Sequence, residues 1–104
     1  MINKEITDKI LAFGKLLREG GLPVDKLVLF GSYARNTQRT GSDIDVAVIS
    51  PNFGYDLIDE MQFLFKQRRN IDALIEPYPL SPDEFEKDFS PIVSEIRKYG
   101  MLVV

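Results

Sequence analysis

The chain of 104 residues contains no cysteine and no histidine. Without cysteine there can be no disulfide and no thiolate metal site. Without histidine there is no imidazole base, no His-ligated zinc and no Ser-His-Asp triad. A bound metal must therefore be held by oxygen, which selects Mg²⁺, Mn²⁺ or Ca²⁺. Long apolar runs are missing too, and none approaches the ~20 residues of a membrane span. The opening Met1-Ile2-Asn3-Lys4-Glu5 carries charge too early for a secretory signal, so a cytoplasmic location is expected. Positive charge is scarce: 13 Lys and Arg stand against 16 Asp and Glu, a net charge of −3. That balance argues against a protein that binds nucleic acid mainly by neutralising phosphates. The one small basic cluster, Lys66, Arg68 and Arg69, reads as a solvated helix end.

What remains is enough for one domain. Hydrophobic residues make up 44% of the chain, and its length predicts a single core without a second lobe. No repeat or low-complexity tract interrupts it. The spacing of Ile6, Ile10, Phe13 and Leu17 predicts a helix from Lys4 to about Arg18, stopped by Gly20-Gly21 and Pro23. Leu27-Val28-Leu29-Phe30 reads as a strand buried on both faces. Gly31 to Asn36 is a turn into a short helix, and Thr37 to Gly41 a polar loop. Asp43 to Ile49 reads as a second strand, ended by Ser50-Pro51-Asn52. Tyr55 to about Arg68 reads as a helix with Leu57, Met61, Leu64 and Phe65 turned inward. Ile71 to Ile75 reads as a third strand, ended by Pro77 and Pro79. Ser81-Pro82-Asp83-Glu84 is a capping box, and Ser90-Pro91 opens a last helix that stops at Gly100. Met101 to Val104 is either a short final strand or a partner contact. The order predicts a small α/β domain with three or four strands flanked by helices, and the helical link between the second and third strands suits a parallel crossover.

Chemistry concentrates in two places. In Ser42-Asp43-Ile44-Asp45-Val46, the two aspartates lie two apart on a strand and point to one face. Paired carboxylates raise each other's proton affinity, and a divalent cation relieves that repulsion. Ahead of them, Leu29-Phe30-Gly31-Ser32 ends a strand in a Gly-Ser turn. Gly31 lets the backbone bend and approach a ligand; Ser32 can cap the following helix and offer a hydroxyl to a phosphate. A third carboxylate is expected on a neighbouring strand. Asp72, within the third apolar run, is the first choice, as metal ligand and general base, with Glu76 as runner-up. The structural alternative for Asp72 is a salt bridge, with Arg35 as a candidate partner.

These residues resemble the minimal nucleotidyltransferases of the DNA polymerase β-like superfamily. The signature of that family is Gly-Ser, ten residues, then Asp-x-Asp, and Gly31-Ser32 to Asp43-Ile44-Asp45 matches its spacing. The flanking Phe-Gly-Ser-Tyr-Ala-Arg and Ser-Asp-Ile-Asp match as well; the likeness runs more loosely to Ile75 through Ile71-Asp72-Ala73-Leu74, and the tail from Glu95 to Val104 is similar to the end of such a domain. The resemblance implies a palm-like mixed sheet, ATP or another NTP as donor, and two Mg²⁺ ions, with Mn²⁺ a possible substitute. It implies that Asp43, Asp45 and Asp72 bind metal and that Gly31 and Ser32, with Arg35 and Ser42 beside them, hold the nucleotide. Arg35 is open to two roles, phosphate contact and structural ion pair. Asn36 departs from the family's usual glycine, and asparagine tolerates the left-handed backbone better than other non-glycine residues.

Larger relatives carry a further domain for the acceptor. This chain ends at Val104, so the acceptor is expected on another polypeptide. In the resembled family that partner is often a helical HEPN toxin, and the nucleotidyltransferase is the antitoxin that transfers AMP to a toxin tyrosine. The alternatives are a non-catalytic antitoxin that works by docking, and a small-molecule, aminoglycoside-type nucleotidyltransferase.

Overall fold

A computed structural model of the chain describes residues 3–104. Nine elements follow in order: α1 (Lys4–Glu19), β1 (Lys26–Phe30), α2 (Gly31–Ala34), β2 (Ile44–Ile49), α3 (Leu57–Gln67), β3 (Ile75–Leu80), α4 (Pro82–Lys87), α5 (Pro91–Tyr99) and β4 (Met101–Leu102). A short 3₁₀ turn, Arg68–Asn70, extends α3. The strands form one mixed sheet in the order β3-β2-β1-β4. β2 runs antiparallel to β1 and parallel to β3, and β4 closes the far edge antiparallel to β1. The α/β architecture and the parallel crossover through α3 match the sequence expectation, and the tail forms the short strand.

Alternation in β1 and β2 feeds two cores. Leu27, Leu29, Ile44, Val46 and Val48 face α1 and α3, where they pack with Ile10, Phe13 and Leu64. Val28, Phe30, Ala47 and Ile49 face the other way, onto Val93 and Ile96 of α5. A sheet covered on both faces needs strands that are apolar at nearly every position, which is what β1 and β2 supply. Local signals fix the ends. Asn3 caps α1 by accepting the Glu5 N–H at 2.7 Å. The Ser81–Glu84 capping box forms as expected, with reciprocal bonds of 3.0 and 2.9 Å. No helix among the described residues is long and apolar enough to cross a membrane.

Two expectations are corrected. The third strand is Ile75–Leu80, so Pro77 and Pro79 lie inside it rather than ending it. Even-numbered residues turn their backbone toward β2: the Leu74 carbonyl accepts the Ile44 N–H, and the Leu80 carbonyl accepts the Ser50 N–H. The odd positions face the open edge, where a proline forfeits no ladder bond. Residues 71–74 form instead a turn, in which the Asp72 carboxylate accepts the Leu74 N–H at 2.8 Å. The second correction concerns α3. Asp56 caps it by accepting the Asp59 N–H, so Tyr55 lies outside. Leu64 is its one buried residue; Met61 and Phe65 are half-buried and Leu57 is exposed, although all four were expected inward.

Candidate active site

β1 ends at Phe30, which is paired across the ladder with Asp45. The next residue, Gly31, has φ +71°, and a Cβ built on it would collide with the Asp45 carboxylate. Here the glycine is required twice: the backbone is left-handed, and the space a side chain needs is occupied by an acidic group. Gly31→Ala is therefore expected to cost about 2 kcal/mol or more of stability. Urea unfolding of the variant measures it; an unchanged midpoint would show that the turn can relax at no cost.

Asp45 lies on the sheet face that also carries Ala47 and Ile49, toward α5. On the parallel side its register partner is Glu76, so both carboxylates rise from one face of adjacent strands, whose spacing is about 4.8 Å. Asp43 precedes β2 and is exposed, whereas Asp45 is half-buried. Burial pushes the Asp45 carboxyl from its ordinary 3.8 up to about 6, and the charges of Asp43, Glu76 and Glu95 push it the same way. Among the described residues, no Lys or Arg forms an ion pair with Asp43 or Asp45. Glu76 has one weak pair, with Arg68 at 3.5 Å. The cluster is thus a set of oxygen donors carrying like charge, and its donor chemistry suits a hard divalent ion. As the side chains stand, no three acidic groups among the described residues converge closely enough to hold one ion together.

The structure separates Asp72 from this cluster. Its carboxylate meets Lys9 of α1 at 2.7 Å, and that hydrogen bond, with the Leu74 N–H, holds it below the usual carboxylate range. The physical reason is the shifted strand: Asp72 belongs to the turn before β3, and the strand position opposite Asp45 goes to Glu76. The salt-bridge alternative for Asp72 is the one observed, with Lys9 rather than Arg35 as partner. Glu95 went unread in the sequence, because its approach to Asp45 depends on how α5 folds back over the sheet.

The remaining candidates find definite places. Ser32 is inside α2, whose N-cap position is taken by Phe30, so its expected capping role is not realised. Its carbonyl accepts the Thr37 N–H, closing the turn. Asn36 adopts φ 58°, the left-handed conformation that its position demands. Arg35 is exposed and stacks its guanidinium over the Tyr99 ring at 4.4 Å, tying α2 to the end of α5. Ser42 closes the loop ahead of Asp43: its hydroxyl accepts the Arg39 N–H at 2.7 Å and its own N–H donates to the Arg39 carbonyl.

Known proteins share this fold. A toxin–antitoxin structure with AMP-PNP aligns with TM-score 0.65 and 25% identity, covering 94% of this chain and 72% of that one. A MntA–HpeT toxin–antitoxin mutant with two Asp-to-Glu changes aligns at 0.62 and 25% identity over the same shares. A candidate nucleotidyltransferase from Sulfolobus solfataricus, 19% identical with TM-score 0.63, covers 94% of this chain and 82% of its own, and shows the fold alone. No curated protein matches the chain in sequence. The family model of the nucleotidyltransferase domain matches residues 11–100. With the Gly-Ser turn and the Asp-x-Asp strand meeting at one point of a mixed sheet, the chain belongs to the nucleotidyltransferase domain family.

Proposed function

We propose that the chain transfers a nucleoside monophosphate, AMP from ATP, to a hydroxyl on a protein partner, and that this neutralises a helical toxin of the HEPN type. The observation that carries the reading is the Asp45 carboxylate, half-buried against Gly31 and surrounded by Asp43, Glu76 and Glu95 without a basic partner. The likeness to toxin–antitoxin structures, one of them with AMP-PNP, supports a toxin as partner.

In this reading Asp43, Asp45 and Glu76 are the residues that would hold divalent metal, Mg²⁺ or Mn²⁺. The metal, when bound, neutralises phosphate charge and aligns the in-line displacement. Gly31 and Ser32 cradle the phosphates, with Arg35 and Ser42 at the rim. The acceptor oxygen attacks the α-phosphorus, the bond to the bridging oxygen breaks, and pyrophosphate leaves. Glu76 is the carboxylate placed beside Asp45 to take the proton of the attacking hydroxyl. Asp72 takes no part; it anchors α1 to the turn ahead of β3.

The test is incubation with α-labelled ATP, Mg²⁺ and the protein encoded beside this one. Label on a tyrosine of that protein is the expected result. A tight complex that carries no label, and that Asp43→Ala leaves intact, would instead identify an antitoxin acting by docking alone.

A further inference from the structure

The site occupies the α5 side of the sheet; the α3 side carries something else. α3 reads Leu-Ile-Asp-Glu-Met-Gln-Phe-Leu-Phe-Lys-Gln, more than half apolar, yet it buries only Leu64. Ile58, Met61 and Phe65 form a second stripe at helical spacing beside Leu64, with Met61 and Phe65 half-buried and outside the core cluster. Ile58 is 68% exposed. These side chains line a groove of about 860 Å³ that ends at Lys66, Arg68, Arg69 and Ala73.

The charge along this groove is uneven. Its acid, Asp59, sits at the start, and the three basic residues gather at the end. Arg68 is already committed, donating to the Ile75 carbonyl at 2.8 Å and stacking on Phe65 at 4.5 Å. Lys66 and Arg69 form no ion pair among the described residues. A basic-ended apolar groove on a chain of net charge −3 selects an occupant that is apolar on one face and acidic beside it. The neighbouring edge of β3 is a poor template for an added strand, because Pro77 and Pro79 remove its outward N–H groups. The groove is instead shaped mostly by side chains of α3, with the 3₁₀ turn and Ala73 at its end, a geometry that receives another helix.

We propose that the α3 groove is a docking site for an acidic amphipathic helix of a partner protein. This goes beyond the transfer reaction and needs no nucleotide. The probe is a fluorescein-labelled amphipathic peptide with a leucine stripe and glutamate flanks, titrated with the full chain and followed by anisotropy. Its mirror in charge, with lysine flanks, and a single-stranded RNA serve as comparisons. The glutamate peptide is expected to bind, more weakly as salt rises. K66E/R69E is expected to weaken that binding at least ~tenfold, and Ile58→Asp to do the same, with circular dichroism unchanged. The proposal is overturned if the glutamate peptide does not bind, if the lysine peptide or RNA binds as well, or if salt has no effect on the unmodified chain. Self-association in sedimentation that Ile58→Asp abolishes would also overturn it, by naming a second copy as the occupant.

Discussion

Asp45→Asn is expected to stabilise the metal-free protein at neutral pH while lowering nucleotidyl transfer by at least ~10³-fold, about 4 kcal/mol of barrier. Both effects come from one carboxylate. Folding places Asp45 under Gly31 and among three other acids, so its carboxyl rises from 3.8 to about 6. Between those two values the folded chain holds more protons than the unfolded one. Stability contributed by Asp45 is therefore full below about pH 4 and is lost as pH rises through about 6. Two units correspond to roughly 3 kcal/mol, reduced to about 1–2 kcal/mol because solvent still reaches this half-buried side chain. Asparagine keeps the shape and removes the charge, so the difference between variant and wild type should open over the same window. Urea unfolding at pH 4 and pH 7.5 measures it. Mg²⁺ with a non-hydrolysable ATP analogue should stabilise the wild type at pH 7.5 and leave Asp45→Asn nearly unmoved. A variant less stable than wild type at pH 7.5, or a wild type indifferent to the metal, would remove the electrostatic basis of the site.

The first half of the site was legible because its determinants are local. A strand that ends in Gly-Ser and another that starts with Asp-x-Asp are each fixed by a few neighbouring residues. Antiparallel pairing of Phe30 with Asp45 then brings the two together. The second half depended on the register between strands far apart in sequence. Ile71-Asp72-Ala73-Leu74 has the composition of a strand, and two prolines follow soon after, so composition alone starts the strand four residues too early. The missed signal was the alternation itself. Glu-Pro-Tyr-Pro-Leu puts prolines at every second position, which only an edge strand tolerates. Taken so, it brings Glu76 into register with Asp45. The α3 error has a similar origin. Apolar residues at helical spacing predicted an inward stripe, but the sheet offers that helix room for little more than Leu64, and the other stripe is left facing outward. Glu95 carried no local signal at all.

Glu76→Gln and Asp72→Asn should separate in their effects. Glu76 shares a sheet face with Asp45 at the parallel register, and its charge is one of those that raise the Asp45 carboxyl. Removing that charge while keeping the shape is expected to lower kcat by ~10²–10³-fold, the range for loss of a positioned acid–base group, with the fold intact. Asp72 is spent elsewhere: its carboxylate holds Lys9 at 2.7 Å and caps the turn through the Leu74 N–H. Asp72→Asn should keep kcat within about threefold and lower the thermal midpoint instead, because α1 loses a tie to the turn ahead of β3. Lys9→Met should reproduce that thermal loss, and combining it with Asp72→Asn should add little, as for two partners in one interaction. Labelled-nucleotide transfer and thermal unfolding on the same four proteins decide between the two carboxylates. If Asp72→Asn abolishes transfer and Glu76→Gln does not, the third acid of the site is Asp72, and the register of β3 does not govern the chemistry.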